Sequence, residues 1–211
     1  MANDMQHSRT TVWTVGHSTH PYEGLIELLR AAQITAIADV RSAPFSRHFP
    51  QFNKEPLQAE LRTDGIAYSF LGKELGGRPS GRKYYEDGVA SYERMAEART
   101  FKAGLRRVVD GAQKYRIALM CSERDPLDCH RCLLVGRALS LQGVTMKHIL
   151  SDGTIMDQKA IEERLLKSEG QHGGDLFLSP DDLLAEAYRK RARRVAYSDQ
   201  SNSFPENGAA R

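Results

Sequence analysis

Apolar residues along the chain alternate between two periods, and the alternation predicts the fold. Five short runs rich in β-branched and aliphatic residues read as strands: 11–15 (TVWTV), 34–40 (ITAIADV), 66–71 (IAYSFL), 117–120 (IALM) and 144–150 (VTMKHIL). Between them the apolar positions recur at helical spacing. Leu25, Ile26, Leu28 and Leu29 follow Pro21, which suits the first position of a helix. A second helix starts at Asn53 or Lys54 and runs to about Arg62, where Asp64-Gly65 closes it. A third spans about 91–113, interrupted near Arg99-Thr100. Leu133, Leu134, Ala138, Leu139 and Leu141 predict one buried stripe on a helix ended by Gly143, and a further helix covers about 155–168.

Strands alternating with helices predict an α/β fold. Three layers are expected: a mainly parallel five-stranded sheet with helices on both faces, joined by right-handed crossovers. In the common order 3-2-1-4-5, strands one and four are central neighbours, and ligands bind beyond the strands' C-terminal ends. His17 follows strand one, Asp39 and Arg41 end strand two, and Cys121 follows strand four. Those polar clusters are expected on one rim. The α/β domain is expected over 11–169. A linker and basic C-terminal helix follow over 170–197, with GQHGG at 170–174, Ser179-Pro180-Asp181-Asp182 as the helix start and RKRARR at 189–194. Residues 1–10 and 198–211 are polar and expected to be disordered. The segment 72–85 (GKELGGRPSGRKYY) reads as a long surface loop.

The 211 residues are 40% hydrophobic and 27% charged, the range of a soluble globular protein. A net charge of +3 does not by itself imply nucleic acid. Three cysteines form no disulfide framework and, without a signal peptide, suggest a reducing cytoplasm. No apolar run nears the roughly 18 residues of a membrane span.

The chemistry concentrates at 117–139, IALMCSERDPLDCHRCLLVGRAL: a strand, a polar loop and a helix N-terminus. Three readings compete there. In the first, Cys121, Cys129 and His130 hold zinc or iron, with Glu123 or His17 completing the set. The spacing lacks Cys-x-x-Cys pairs, and the adjacent Cys129 and His130 are expected to point apart at a helix start. In the second, Cys129 or Cys121 is a nucleophilic thiol, and Cys129, acidified by the helix start and Arg131, fits better than Cys121 at its strand end. The Cys-x5-Arg loop of tyrosine phosphatases and rhodaneses is absent, since Leu127 and Val135 occupy that offset. In the third, Arg131 and free backbone N–H groups bind a phosphate or carboxylate, and Arg131→Ala removes binding with little loss of fold. Arg41, Arg47, Arg78, Ser18 and Ser42 support that anion, while His130, Glu123, Asp39 and His17 handle or orient protons. The bland alternative makes each cysteine a small hydrophobe and Arg131 a cap.

Five collinear stretches also carry a family resemblance: TVGHSTH at 14–20, DVRSAPFSR at 39–47 with FN at 52–53, YSFLGKELGGRP at 68–79, LMCSERDPLDCHR at 119–131, and HIL at 148–150. Together they resemble the bacterial family catalogued as domain of unknown function 488, over about residues 12–152. The resemblance implies a compact α/β domain and a cytoplasmic location, and it supplies no reaction. Some relatives carry a DNA-repair label. The family's marked positions fall on His17, Ser18, Asp39, Arg41, Arg47, Cys121, Glu123, Cys129, His130 and Arg131. The expectation is an enzyme acting on a small anionic, phosphate-bearing or nucleotide-like ligand. Its rival is a nucleic-acid-binding module using 72–85 and 189–194.

Overall fold

The computed structural model describes residues 10–170 and 178–199. The first half runs β1 (Thr11–Gly16), α1 (Tyr22–Ala31), β2 (Ala36–Asp39), α2 (Lys54–Thr63), β3 (Ala67–Phe70) and a short α3 (Gly72–Leu75). Next come a small hairpin, β4 (Tyr85–Glu86) with β5 (Val89–Ala90), then α4 (Tyr92–Ala96), α5 (Arg99–Ala112) and β6 (Ile117–Cys121). A π-helical stretch (Arg131–Gly136) leads into α6 (Arg137–Leu141), β7 (Thr145–Ile149), β8 (Ile155–Asp157), α7 (Gln158–Ser168) and α8 (Pro180–Val195). The fold is the expected α/β type, with helices on both faces of a mainly parallel sheet.

The strand order differs from 3-2-1-4-5. It is β3-β2-β6-β1-β7-β8, so the fourth parallel strand inserts between the second and the first. β6 is the strand best suited to that place, because all five of its residues are buried. The edge strand β3 instead alternates exposed and half-buried positions. A sixth strand was not expected. After β7 the chain turns through Gly153, at φ +84°, and 155–157 pair antiparallel with 147–149. The helix expected from 155 therefore starts at Gln158, where the Asp157 side chain accepts from the Ala160 N–H.

Side chains alternate across the sheet, giving two cores. Trp13, Val15, Ile37, Ala118 and Met120 face α1 and α2, and Leu25 and Leu29 are wholly buried there. Each such leucine contributes about 1.5–3 kcal/mol. Val12, Ala38, Leu119 and Cys121 face the other way, onto α5, the π stretch, α7 and α8. The expected stripe on α6 is only partly right: Leu139 is buried and Leu141 is 80% exposed. Two residues along a helix turn by about 200°, so both cannot face the core. The 91–113 helix breaks at Glu97-Ala98, close to the expected place. The segment 72–85 is more ordered than a loop, since Leu75 of α3 is buried against α5.

The C-terminal helix packs on the domain through Ala187 and Tyr188. Each cation of RKRARR has a partner: Arg189–Glu93, Lys190–Glu186, Arg191–Asp128, Arg193–Asp87 and Arg194–Glu169. Ser198 and Asp199, expected in a disordered tail, extend the hairpin by pairing with Val89 and Gly88. The other residues expected to be disordered, and most of the GQHGG linker, lie outside the described residues. No helix among the described residues is long and apolar enough to cross a membrane.

Candidate active site

β1, β2 and β6 end side by side, and a cleft of about 450 Å³ opens beyond them. Cys121, Glu123 and His130 lie along it with Arg41, Ser42 and Arg78, and Tyr92, Val195 and Tyr197 close its side. One donor atom from each of Cys121, Glu123, Cys129 and His130 falls within 4.8 Å of the others. His130 Nδ1 is 3.7 Å from Cys121 Sγ and 3.9 Å from Cys129 Sγ, and Cys129 Sγ donates to Glu123 Oε2 at 2.9 Å.

The backbone explains why Cys129 and His130 do not point apart as expected. A short 3₁₀ turn, Pro126–Asp128, is capped by Asp125, whose carboxylate accepts from Leu127 N–H. Cys129 is then extended (φ −138°, ψ 138°), whereas His130 is already helical (φ −60°, ψ −24°). That change between neighbours turns both side chains toward Cys121. π-Helical stretches such as the one that follows cluster at functional sites.

His130 Nε2 lies 2.9 Å from the Val40 carbonyl oxygen. A carbonyl only accepts, so Nε2 carries the hydrogen and the Nδ1 lone pair of the neutral ring faces the two sulfurs. This is how a metal-binding imidazole is oriented. Thiolate and imidazole bonds to zinc of about 2.3 and 2.0 Å at tetrahedral angles separate the donors by roughly 3.5–3.8 Å. The two imidazole–sulfur separations, 3.7 and 3.9 Å, match that spacing closely, whereas Cys129 Sγ and Glu123 Oε2, at 2.9 Å, stand at hydrogen-bond distance.

Electrostatics favours a cation there. Burial, then Cys129, pushes the Cys121 thiol well up. Burial also opposes ionisation of Cys129, yet its hydrogen bond with Cys121, the Arg131 charge and His130 hold that thiol well below its ordinary value. Glu123 is exposed on the cleft, yet partial desolvation by the surrounding loop and the adjacent Cys129 raise its pKa. Three acids this close cannot all ionise without a positive charge among them. Burial opposes protonation of His130, and the adjacent Cys129 raises its pKa against that effect.

The remaining expected residues take different places. Arg131, expected to bind the anion, is wholly buried beneath the loop and outside the cleft lining. Its Nη1 and Nη2 donate to the Glu123 and Arg124 carbonyls at 2.6 and 3.2 Å, and its Nε has no hydrogen-bond partner among the described residues. Asp39, expected to handle or orient protons, is buried and occupied: Arg41 Nη2 donates to it at 2.6 Å and Tyr68 Oη at 2.7 Å. His17 stacks on Phe52 with centroids 4.3 Å apart, behind Arg41 Nη1 at 3.3 Å. Ser18 and Arg47 lie outside the cleft lining, Ser18 N–H bonding the Ser122 carbonyl at 3.0 Å.

Two glycines matter in ways the sequence did not announce. A Cβ on Gly16 would lie 1.9 Å from the Glu123 carbonyl oxygen, so close approach of the loop requires glycine there. A Cβ on Gly77 would lie 2.8 Å from His130 Cγ. Tyr197 was also missed, because nothing local marks a residue at the end of the C-terminal helix as part of a cleft.

The family model "Domain of unknown function DUF488" matches residues 21–138, more than half of the chain. The chain belongs to the DUF488 family. No curated protein and no solved structure matches it. The DUF488 match contains Asp39, Arg41 and all four donors of the Cys-Glu-Cys-His cluster. It stops before α8, so Val195 and Tyr197 bring to the cleft a wall from outside the matched span.

Proposed function

We propose that this DUF488 protein is a metal-dependent enzyme, with zinc or iron held by Cys121, Cys129 and His130, acting on a small anionic substrate in the adjoining cleft. The observation that carries the reading is the meeting of two sulfurs, a carboxylate and the free face of a tautomer-fixed imidazole within 4.8 Å. Three protein donors with a further position open to a cleft are the pattern of catalytic zinc rather than of closed structural sites. When bound, such an ion polarises a substrate oxygen or activates a water.

The chain's own residues have separate tasks. Glu123, at the cleft face, serves as the fourth donor or takes up a proton. Arg78 and Ser42 receive the anion, with Arg41 behind them held rigid by Asp39. Arg131 holds the loop carrying Glu123 and lends its charge to Cys129. Cobalt titration of metal-free protein tests the site. Thiolate-to-cobalt charge-transfer absorption should grow to one equivalent, and fall in both Cys121→Ser and Cys129→Ser. Its absence in the wild-type protein would overturn the reading.

One observation favours a second reading. Cys129 combines a depressed pKa with a backbone N–H of Arg131 at 3.4 Å from its sulfur, as a nucleophilic thiolate would. A metal-free protein whose Cys129 alkylates rapidly below about pH 8.5 would favour it. The nucleic-acid alternative gains nothing from RKRARR, whose cations are all paired within the chain.

A further inference from the structure

A second cavity, of about 340 Å³, lies between the β4–β5 hairpin, α4, the π stretch with α6, and α8. Its apolar lining comes from Leu133, Leu134, Ala138 and Ala192. Most of the charged residues around it are neutralised. Glu86 pairs with Arg94, Glu93 with Arg189, Glu97 with Lys102 and Arg193 with Asp87. Arg137 is the exception. Its guanidinium lies over the Tyr188 ring, 4.2 Å from the centroid, with no ion pair or hydrogen bond among the described residues. It is half-buried, and that burial pulls its pKa down. Glu93 and Glu162 are close enough to act on its charge but accept no hydrogen bond from it, so a guanidinium held against a ring beside an apolar surface keeps its fork of N–H donors open to an anion.

We propose that this cavity binds a small amphiphilic monoanion, a carboxylate carried on an apolar body, roughly ten heavy atoms in all. The carboxylate takes the fork of Arg137, and the body lies on Leu133 and Leu134. Tyr188 fixes the guanidinium from behind, because its own hydroxyl is held by Gln158 at 2.6 Å and Glu162 at 2.9 Å. The site needs no metal and shares no donor with the Cys-His cluster, so it stands or falls separately.

Octanoate is a suitable probe, with octyltrimethylammonium as a probe of similar body and inverted charge. Calorimetric titration of the full-length protein should give saturable one-site binding of octanoate and none of the ammonium. Arg137→Gln should weaken octanoate at least tenfold. Ala192→Phe, which fills the cavity and leaves Arg137 in place, should abolish binding, so the proposal remains testable if the arginine variant misfolds. Near-UV circular dichroism checks the fold of each variant. Equal octanoate affinity in folded Arg137→Gln, equal binding of the two probes, or no saturable binding at millimolar concentrations would each overturn the proposal.

Discussion

Arg131 shows how far burial changes the meaning of a residue. As a free cation beside a helix start it reads as an anion ligand, and its loss should spare the fold. Wholly buried and bonded to two loop carbonyls, it is structural, and Arg131→Met should destabilise the protein by about 2–4 kcal/mol through unpaired carbonyls and lost packing. A denaturant titration showing a loss under about 1 kcal/mol would contradict that role. Gly77→Ala makes a second test, because the added carbon would press on the His130 ring, itself pinned to Val40. Metal affinity should fall while the fold survives, measurable by competition with a chelator. His17 and His148 govern acid behaviour. His148 accepts from Thr14 at Nδ1 and donates to Gln158 at Nε2, and both imidazoles, held neutral mainly by burial, are lowered from 6.5 to about 4. Between those values the unfolded chain binds protons that the folded chain refuses. Stability is therefore full above pH 6.5 and declines toward pH 4, by at most about 3 kcal/mol per histidine. Urea midpoints at several pH values check this, and His148→Gln should make the decline shallower.

Among the elements, β6 and its loop were legible because a buried parallel strand is a continuous apolar run, whatever surrounds it. Strand order was not, since all the parallel strands offer similar apolar faces and only tertiary packing chooses their neighbours. β8 escaped notice because three residues, Ile155–Asp157, are too few to show a period. The donors were legible as residue types, and their gathering at the strand ends was expected, but the shared direction of Cys129 and His130 was not. It depends on a backbone change between Cys129 and His130 that spacing does not record. α8 proved part of the site's support. Arg191 Nε donates to the Leu127 carbonyl at 2.9 Å, and its guanidinium pairs with Asp128, gripping the turn just before Cys129. Arg191→Ala should weaken metal binding roughly tenfold without touching a donor, as loss of outer supports does elsewhere. Unchanged affinity would show that the turn holds itself.

The Cys-Glu-Cys-His cluster is held by elements from across the fold. Two buried thiols, an imidazole and a carboxylate sit at the end of the central strand, braced by Val40 from β2's end, Arg131 from below and α8 from the side. α7 and α8 are held together, because Tyr188 bonds to Gln158 and Glu162. Such an arrangement is poorly explained as mere packing, since two apolar side chains would fill the same space without opposed ionisations. The measurement to make is elemental analysis of untagged protein purified without oxygen. The account predicts about one zinc or iron per chain, lost together with cobalt binding in Cys121→Ser and Cys129→Ser. Protein that is folded, metal-free and unable to take up either ion would contradict it.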